Sequence, residues 1–171
     1  MYRPARRYRA GMTSASRPLL FLDVDGTILP FGGSGLPPAP DASNPYLARI
    51  DRTLGPQLMG LGCDLVWATA WMDEANEVIG PLLGLPRLPV ADLADDGDDG
   101  PDTLQWKTKA LVRIASGRPF IWVDDVIEPA DRWWIEFEHP GPALLHKVDP
   151  AVGLTAADIA FIETWLRGAR P

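Results

Sequence analysis

The chain lacks the features that mark exported and membrane-spanning proteins. Its single cysteine, Cys63, has no partner for an intramolecular disulfide or for a thiolate metal site. No apolar run approaches the roughly 20 residues that cross a bilayer, and residues 2–17 lack the apolar segment of a secretory signal. We therefore expect a cytoplasmic protein that makes no contact with a membrane.

Acidic residues are missing from the beginning of the chain. Residues 1–17 contain five arginines and no acid, so residues 18–171 hold all 23 acidic residues and only 11 of the 16 basic ones. Because short charged tails are mostly solvated, we predict a basic, disordered N-terminal arm over residues 1–17. The acidic remainder is poorly suited to binding duplex nucleic acid through its phosphates.

Apolar residues cluster in short runs along the remainder, residues 18–171, which is long enough for one domain with a single core. A continuous apolar run that ends in a polar residue is typical of a strand buried on both faces of a sheet. Five such runs occur: Leu19–Leu22 before Asp23, Asp64–Ala68 before Thr69, Leu88–Val90 near Asp92, Pro119–Val123 before Asp124, and Ala143–Val148 before Asp149.

Helical patterns separate these runs. They cover residues 45–61, 71–83, 104–116, 128–138 and the segment after Thr155. Strands that alternate with helices predict an α/β fold of three layers, Rossmann-like, with a central parallel sheet and helices on both faces. Such sheets bind ligands beyond the carboxyl ends of their strands. We therefore expect Asp23, Thr69 and Asp124 to meet in one crevice.

The segment Asp23-Val24-Asp25-Gly26-Thr27 follows the first predicted strand directly. It resembles motif I of the haloacid dehalogenase (HAD) superfamily of phosphohydrolases. The resemblance implies that Asp23 attacks phosphorus to form an aspartyl-phosphate and that Asp25 acts as general acid and base. It also places Gly26 and Thr27 among the substrate-binding residues. A carboxylate is a weak nucleophile, and a divalent cation that neutralises the phosphoryl charge makes this chemistry feasible.

Two further motifs of the superfamily occur in the same order. Thr69, at the end of the second predicted strand, resembles the motif II hydroxyl that donates to a phosphoryl oxygen. Motif III is a lysine near the beginning of a helix, and Lys107 and Lys109 are both candidates. We favour Lys107 because it lies nearer the expected N-terminal end of the helix, and Lys109 remains the alternative.

The adjacent acids Asp124 and Asp125 resemble motif IV. Neighbouring carboxylates repel each other at a strand end unless a cation compensates. The resemblance implies that Asp124 binds Mg²⁺ together with Asp23 and the backbone carbonyl of Asp25. Asp125 would orient a water on the metal or the motif III lysine. Asp131 is a weaker candidate of the same kind, and we interpret it as a charge on a solvent-facing helix.

Other segments resemble a narrower group, the HAD domains associated with bacterial multidomain RNA-repair proteins. They are Trp67–Trp71, Gly84–Pro86, Gly117–Pro119 and Val148–Thr155. In that group the HAD unit is proposed to remove phosphates from nucleic-acid ends. Trp71 follows motif II closely enough to stack on a base or sugar at the rim of the crevice, so we include it among the substrate-binding residues.

Many HAD phosphatases carry a mobile cap at one of two insertion sites. Here those sites hold only residues 29–45 and 87–105, which are too short to fold as a separate lid. We therefore predict a fold without a cap domain. An open site would admit the end of a large substrate or be shielded by a neighbouring subunit, so a homo-oligomer is one of our expectations.

These observations favour a Mg²⁺-dependent phosphomonoester hydrolase that acts on nucleotide or nucleic-acid ends. Two alternatives stay open. The first is a phosphatase of small molecules such as sugar phosphates or nucleotides. The second is a catalytically idle scaffold that binds Mg²⁺ without turnover, although the three acids Asp23, Asp25 and Asp124 argue against it.

Overall fold

A parallel β-sheet runs through the middle of the part of the chain that this computed structural model describes, residues 7–8, 17–32, 44–94 and 103–169. Its strands are β1 (Arg7–Tyr8), β2 (Leu19–Leu22), β3 (Asp64–Trp67), β4 (Val90–Ala91), β5 (Phe120–Asp124) and β6 (Ala143–Lys147). They lie in the order β1-β4-β3-β2-β5-β6, and all neighbouring pairs are parallel. The five apolar runs of the sequence therefore form strands, as predicted.

Helices cover both faces of the sheet. They are a 3-10 helix at Pro45–Arg49, α1 (Leu54–Gly60), α2 (Glu74–Leu83), α3 (Thr108–Ala115), α4 (Pro129–Glu138) and α5 (Ala156–Ala169). Buried side chains of α1, α2 and α5 form one apolar cluster against the sheet, and those of α3 and α4 form a second cluster on the opposite face. The predicted three-layer, Rossmann-like α/β fold is confirmed.

Strand β2 shows why its sequence reads as an unbroken apolar run. All four of its side chains are fully buried, because alternate residues point to opposite faces and both faces are covered. Leu20 and Leu22 belong to the α1, α2 and α5 cluster, whereas Leu19 and Phe21 belong to the α3 and α4 cluster. The strand lies between β3 and β5, so the residue that follows it lies at the middle of the sheet's carboxyl edge.

The helices are shorter than the sequence pattern predicts. The helical pattern at residues 45–61 is interrupted at Asp51, whose side chain accepts hydrogen bonds from the backbone N–H and the hydroxyl of Thr53 at 2.9 and 2.7 Å. This local turn competes with the helix. Helices α2 and α3 each begin three or four residues later than predicted, at Glu74 and Thr108. The residues left out of the two helices form loops at the carboxyl edge of the sheet.

Two residues of the predicted arm pair with the edge of the sheet. Arg7–Tyr8 lies parallel to Val90–Ala91. The open edge of β4 explains the pairing, because unpaired N–H and C=O groups of an edge strand accept a further strand. Residues 1–6 and 9–16 lie outside the described residues, and the division into an arm and a domain stays a prediction.

The described residues include no cap domain, in agreement with the short insertion sites of the sequence. The two insertion sites hold 17 and 19 residues at most by the predicted bounds of residues 29–45 and 87–105, and residues 33–43 and 95–102 within them lie outside the described part. Such segments are too short to bury a core of their own. Among the described helices, none has the length and apolar character that crossing a bilayer requires.

Candidate active site

Three carboxylates gather at the carboxyl ends of the neighbouring strands β2 and β5. Leu22 pairs with Val123 in the sheet, so Asp23 and Asp124 leave the two strands side by side. Each of Asp23, Asp124 and Asp125 offers an oxygen, and these oxygens lie within 4.8 Å of one another. Asp23 and Asp124 are buried, and Asp125 is partly exposed. Two of the three strand-end residues that we expect to meet, Asp23 and Asp124, therefore lie together.

Lys107 contacts two of these carboxylates at once. Its Nζ donates to Asp23 Oδ1 at 2.6 Å and to Asp124 Oδ2 at 2.7 Å, and its side chain is only 4% exposed. Lys107 directly precedes α3, the position that the sequence analysis favoured. The alternative, Lys109, is the second residue of the helix and is half-buried. The structure therefore places Lys107 at the carboxylate cluster.

The carboxylate cluster carries negative charge that a bound cation would compensate. Burial raises the pKa of Asp23 to about 7, with the Lys107 ammonium opposing the shift and the Asp124 carboxylate adding to it. Burial and the proximity of Asp124 also raise the pKa of Asp125. One ammonium faces three acids, so negative charge is left over. Several carboxylate oxygens close together are the ligands that Mg²⁺ prefers, and the residues present fit such an ion.

The loop after β2 turns sharply. The Val24 carbonyl accepts from the backbone N–H groups of Thr27, Ile28 and Leu29 at 3.1, 2.9 and 2.9 Å. Gly26 adopts φ +70°, a left-handed conformation that side chains rarely adopt. A Cβ at this position would also lie 2.4 Å from Asp125 Oδ2. Glycine is therefore required by both the turn and the packing on Asp125, and the predicted contact of Gly26 with substrate stays a prediction.

Thr27 lies beneath the predicted nucleophile. Its side chain is fully buried, and its hydroxyl donates to Asp23 Oδ2 at 3.3 Å. This bond indicates that Thr27 orients Asp23, and the predicted role of Thr27 in substrate binding stays a prediction.

Thr69 follows the end of β3, next to the strand that leads to Asp23. The backbone N–H of Ala68 donates to the Leu22 carbonyl at 2.9 Å, which fixes this strand end beside β2. The hydroxyl oxygen of Thr69 accepts from the backbone N–H of Trp71 at 3.3 Å. A hydroxyl that accepts one bond keeps its hydrogen for donation. The Thr69 hydroxyl therefore keeps a hydrogen to donate, and its predicted bond to a phosphoryl oxygen stays a prediction.

The carboxylate of Asp25 accepts a hydrogen bond from an indole. Trp71 Nε1 donates to Asp25 Oδ2 at 3.0 Å. Trp71 is half-buried and packs against the α1, α2 and α5 cluster. The predicted contribution of the Asp25 backbone carbonyl to a metal site, and the predicted stacking of Trp71 on substrate, stay predictions.

Comparison with known protein families matches residues 19–159 to the family described as the HAD domain in Swiss Army Knife RNA repair proteins. The chain belongs to this family. The match spans well over half of the chain and covers every site residue named above. Neither a curated protein nor a solved structure matches the chain in the corresponding comparisons. The resemblance to the HAD superfamily and to RNA-repair HAD domains is thereby confirmed.

In this member of the family, sequence reasoning misjudged Asp131. The residue is fully buried, so its interpretation as a solvent-facing charge is wrong. Its Oδ1 accepts from the backbone N–H of Gln105 at 2.8 Å and from the hydroxyl of Thr108 at 2.7 Å. Its Oδ2 accepts from the backbone N–H of Glu128 at 2.8 Å. Asp131 therefore ties α4 to the chain on both sides of Lys107.

The sequence does contain one indication that Asp131 is not a free surface charge, its position three residues after Glu128. The two side chains form a reciprocal capping box at the beginning of α4, where an acid three residues into the helix bonds back to the residue that caps it. The box explains why Asp131 turns inward. The sequence does not indicate that the other carboxylate oxygen, Oδ1, contacts the residues on both sides of Lys107.

Sequence reasoning also missed Gln105 and Trp106, the two residues that precede Lys107. Gln105 Oε1 accepts from the backbone N–H of Lys107 at 2.6 Å, which holds the lysine at the beginning of α3. Trp106 is 55% exposed, and the Lys107 ammonium lies 5.5 Å from the centre of its ring. An exposed indole beside Lys107 provides an apolar surface next to the carboxylate cluster.

Proposed function

We propose that the chain is a Mg²⁺-dependent phosphomonoester hydrolase that works through an aspartyl-phosphate on Asp23. The observation that carries the proposal is the contact of the Lys107 ammonium with both Asp23 and Asp124 at the tips of two adjacent strands. Such a group combines a nucleophilic carboxylate with positive charge where a phosphoryl group needs it. Membership in a HAD family supports the same chemistry.

The first half of the reaction transfers the phosphoryl group to the protein. An Asp23 oxygen attacks phosphorus, the bond from phosphorus to the leaving oxygen breaks, and Asp25 gives its proton to that oxygen. Thr27 and Lys107 hold the attacking carboxylate through its two oxygens, at 3.3 and 2.6 Å. Thr69 donates to a phosphoryl oxygen through its remaining hydroxyl hydrogen.

The second half releases phosphate. Asp25, now a carboxylate, takes a proton from water as the water attacks phosphorus, and the bond to Asp23 breaks. Both aspartates return to their starting states, with alcohol and inorganic phosphate as the products. Lys107 stays beside the transferring group in both halves, because its two carboxylate partners fix its position.

A metal site completes the proposal. Asp23, Asp124 and the carbonyl of Asp25 would hold Mg²⁺, and Asp125 lies close enough to contribute its own carboxylate or to bind a water on the ion. When bound, the ion supplies charge neutralisation for the phosphoryl oxygens and holds the phosphate in line with Asp23. The buried, partly uncompensated acids described above favour this assignment.

The proposed substrate is a phosphate at the end of a nucleic acid. The family is described as the HAD domain in Swiss Army Knife RNA repair proteins, and a site without a cap admits a chain end. The exposed ring of Trp106, next to Lys107, offers a stacking surface for a terminal base. Alternatively, a second copy of the chain shields the open site. Light scattering would then show a dimer.

The decisive experiment measures release of phosphate from a generic aryl phosphate. We expect release that requires Mg²⁺, is abolished by Asp23→Asn, and is retained by Glu163→Gln, which changes an exposed acid on α5. Binding of Mg²⁺ without turnover on any phosphomonoester would instead identify an idle scaffold.

A substrate panel then separates the remaining alternatives. Oligonucleotides with a 3′-phosphate or a 5′-phosphate are compared with mononucleotides, sugar phosphates and phosphopeptides by kcat/KM. We expect oligonucleotides to be preferred and Trp106→Ala to reduce that preference. Equal or better turnover of small phosphates would identify a small-molecule phosphatase and contradict the nucleic-acid assignment.

A further inference from the structure

The hydrogen bond between Trp71 and Asp25 joins an indole to the proposed general acid. Trp71 Nε1 lies 3.0 Å from Asp25 Oδ2, a good distance for an N–H donor and a carboxylate oxygen. An indole N–H can only donate, so Oδ2 must accept. Whenever Asp25 carries a proton, that proton is therefore directed to the other oxygen, Oδ1.

Trp71 is held firmly enough to impose this choice. Its backbone N–H donates to the Thr69 hydroxyl at 3.3 Å, and its carbonyl accepts from the backbone N–H of Glu74 at 3.0 Å at the beginning of α2. The next residue, Met72, adopts φ 50° in the left-handed region, which side chains seldom adopt. This reversal of the chain between β3 and α2 turns the indole towards Asp25.

The backbone of Asp25 is fixed independently of the indole. Asp25 forms an isolated bridge with Leu29, and the neighbouring Gly26 N–H donates to the Leu29 carbonyl at 2.9 Å. These backbone contacts do not fix the rotation of the Asp25 carboxyl group about its Cβ–Cγ bond. A single directional donor on Oδ2 removes that freedom.

We propose that Trp71 is a positioning residue that reserves Oδ1 of Asp25 for proton exchange with the substrate. This inference rests on the proposed function. In the first half-reaction the leaving oxygen takes the electron pair of its bond to phosphorus and the proton from Oδ1. In the second half-reaction Oδ1 takes a proton from the attacking water. The indole keeps its own proton throughout.

The dependence of rate on the leaving group tests the proposal. An alkoxide leaves poorly and needs the acid, whereas p-nitrophenolate leaves readily without it. We expect Trp71→Phe to lower kcat/KM for an alkyl phosphate about tenfold more than for p-nitrophenyl phosphate, part of the 10²–10⁴ that general acid catalysis supplies. Asp25→Asn sets the full size of this difference. Trp106→Phe, which changes the exposed indole beside Lys107, should lower both rates equally.

Equal losses on the two esters in Trp71→Phe would overturn the proposal, because a residue that positions the general acid must affect the poor leaving group more. Thermal unfolding of the variant, measured beside the kinetics, shows whether the fold is kept.

A second measurement does not depend on turnover. Heteronuclear NMR of the metal-free protein resolves the indole N–H groups, and the Trp71 signal is the one that disappears in Trp71→Phe. We expect Asp25→Ala to shift this signal and to leave the Trp106 signal in place. An unchanged Trp71 signal would overturn the hydrogen bond and the proposal with it. If the signal shifts while the wild type hydrolyses no phosphomonoester, the proposed function fails, and the assigned proton exchange fails with it.

Discussion

The ammonium of Lys107 and the carboxylate of Asp23 are 2.6 Å apart, although 84 positions separate the two residues in the sequence. Both side chains are more than nine-tenths buried, so their charges are compensated mainly by each other and by Asp124. A buried charge that loses its partner destabilises the fold. A phosphoryl group on Asp23 would lie beside an ammonium that is already held in position. The pair therefore matters to both stability and rate.

Lys107→Met tests that relationship. We expect kcat to fall by about 10²–10³, the usual effect of removing one fixed electrostatic group. The metal-free protein should also lose about 3–5 kcal/mol of unfolding free energy, because two buried carboxylates then face each other unpaired. Lys109→Met is the matched control and should retain activity. Loss of activity in the control with retention in Lys107→Met would reverse the assignment.

Mg²⁺ should stabilise the folded chain through Asp124. At about 100 times its dissociation constant, a bound ion adds about 2.7 kcal/mol of stability by mass action. We expect a rise in the thermal midpoint of the wild type on adding Mg²⁺, no rise in Asp124→Ala, and the full rise in Glu163→Gln. Calorimetric titration with Mg²⁺ checks the same difference. An equal rise in both variants would place the ion elsewhere.

Asp131→Ala should reduce activity without touching the reacting groups. It leaves three donors without their acceptor, the N–H groups of Gln105 and Glu128 and the Thr108 hydroxyl, at about 1–3 kcal/mol for each buried one. The loop that carries Lys107 should then loosen, and kcat of the folded enzyme should fall.

Asp158→Ala is the control for Asp131. Asp158 caps α5 in a similar way, accepting from the N–H and the hydroxyl of Thr155 at 2.8 and 2.6 Å, but it contacts none of the proposed catalytic residues. We expect urea unfolding to show a loss of stability in both variants, and activity assays to show a loss in Asp131→Ala alone. A loss of kcat in both would mean that helix capping, and not the tie to Lys107, sets the rate.

The stability of the chain should depend on the protonation of His139. Its Nε2 lies 3.0 Å from the Arg118 carbonyl and therefore carries the proton, whereas Nδ1 is buried without a partner among the described residues. Burial lowers the pKa of His139 below its ordinary value of 6.5, although the bond to Arg118 opposes the shift. The unfolded chain then binds the proton more tightly. This stability is complete above the ordinary pKa and is lost as the pH falls through the folded one.

We therefore expect the His139 contribution to the unfolding free energy to fall between about pH 7.5 and 5.5, against an opposite contribution from Asp23, whose raised pKa favours the folded state as the pH falls. His139→Gln keeps a donor for the Arg118 carbonyl but cannot titrate, so it should remove part of this fall. His146→Gln, which changes the chain's other histidine, should leave the His139 contribution in place. An identical pH dependence in the wild type and His139→Gln would contradict the prediction.

Local sequence patterns suffice for the sheet and for the three acids at its edge. The apolar run of β2 and its direct passage into Asp23 show both the burial of the strand and the end at which chemistry occurs. Parallel pairing then brings Asp124 beside Asp23 without further information. These predictions succeed because strand burial and strand direction are encoded by neighbouring residues.

Side-chain orientations at the site could not be predicted in the same way. The choice of Lys107 rested on the expected beginning of a helix, and the inward turn of Asp131 depends on a loop 26 positions earlier. The bond from Trp71 to Asp25 depends on the positive φ of Met72, which no local pattern in the sequence indicates. Contacts between distant segments are set by packing, and polar residues fit many packings equally well.

The placement of β2 between β3 and β5 has a consequence for how the protein is made on the ribosome. Asp23 is synthesised well before β5, which flanks it and carries Asp124 but begins only at Phe120. An unfinished chain therefore exposes Asp23 on an apolar strand with one side unpaired until β5 has been synthesised. The two acids come together only at that stage, and β6 is added to the edge of the sheet later still.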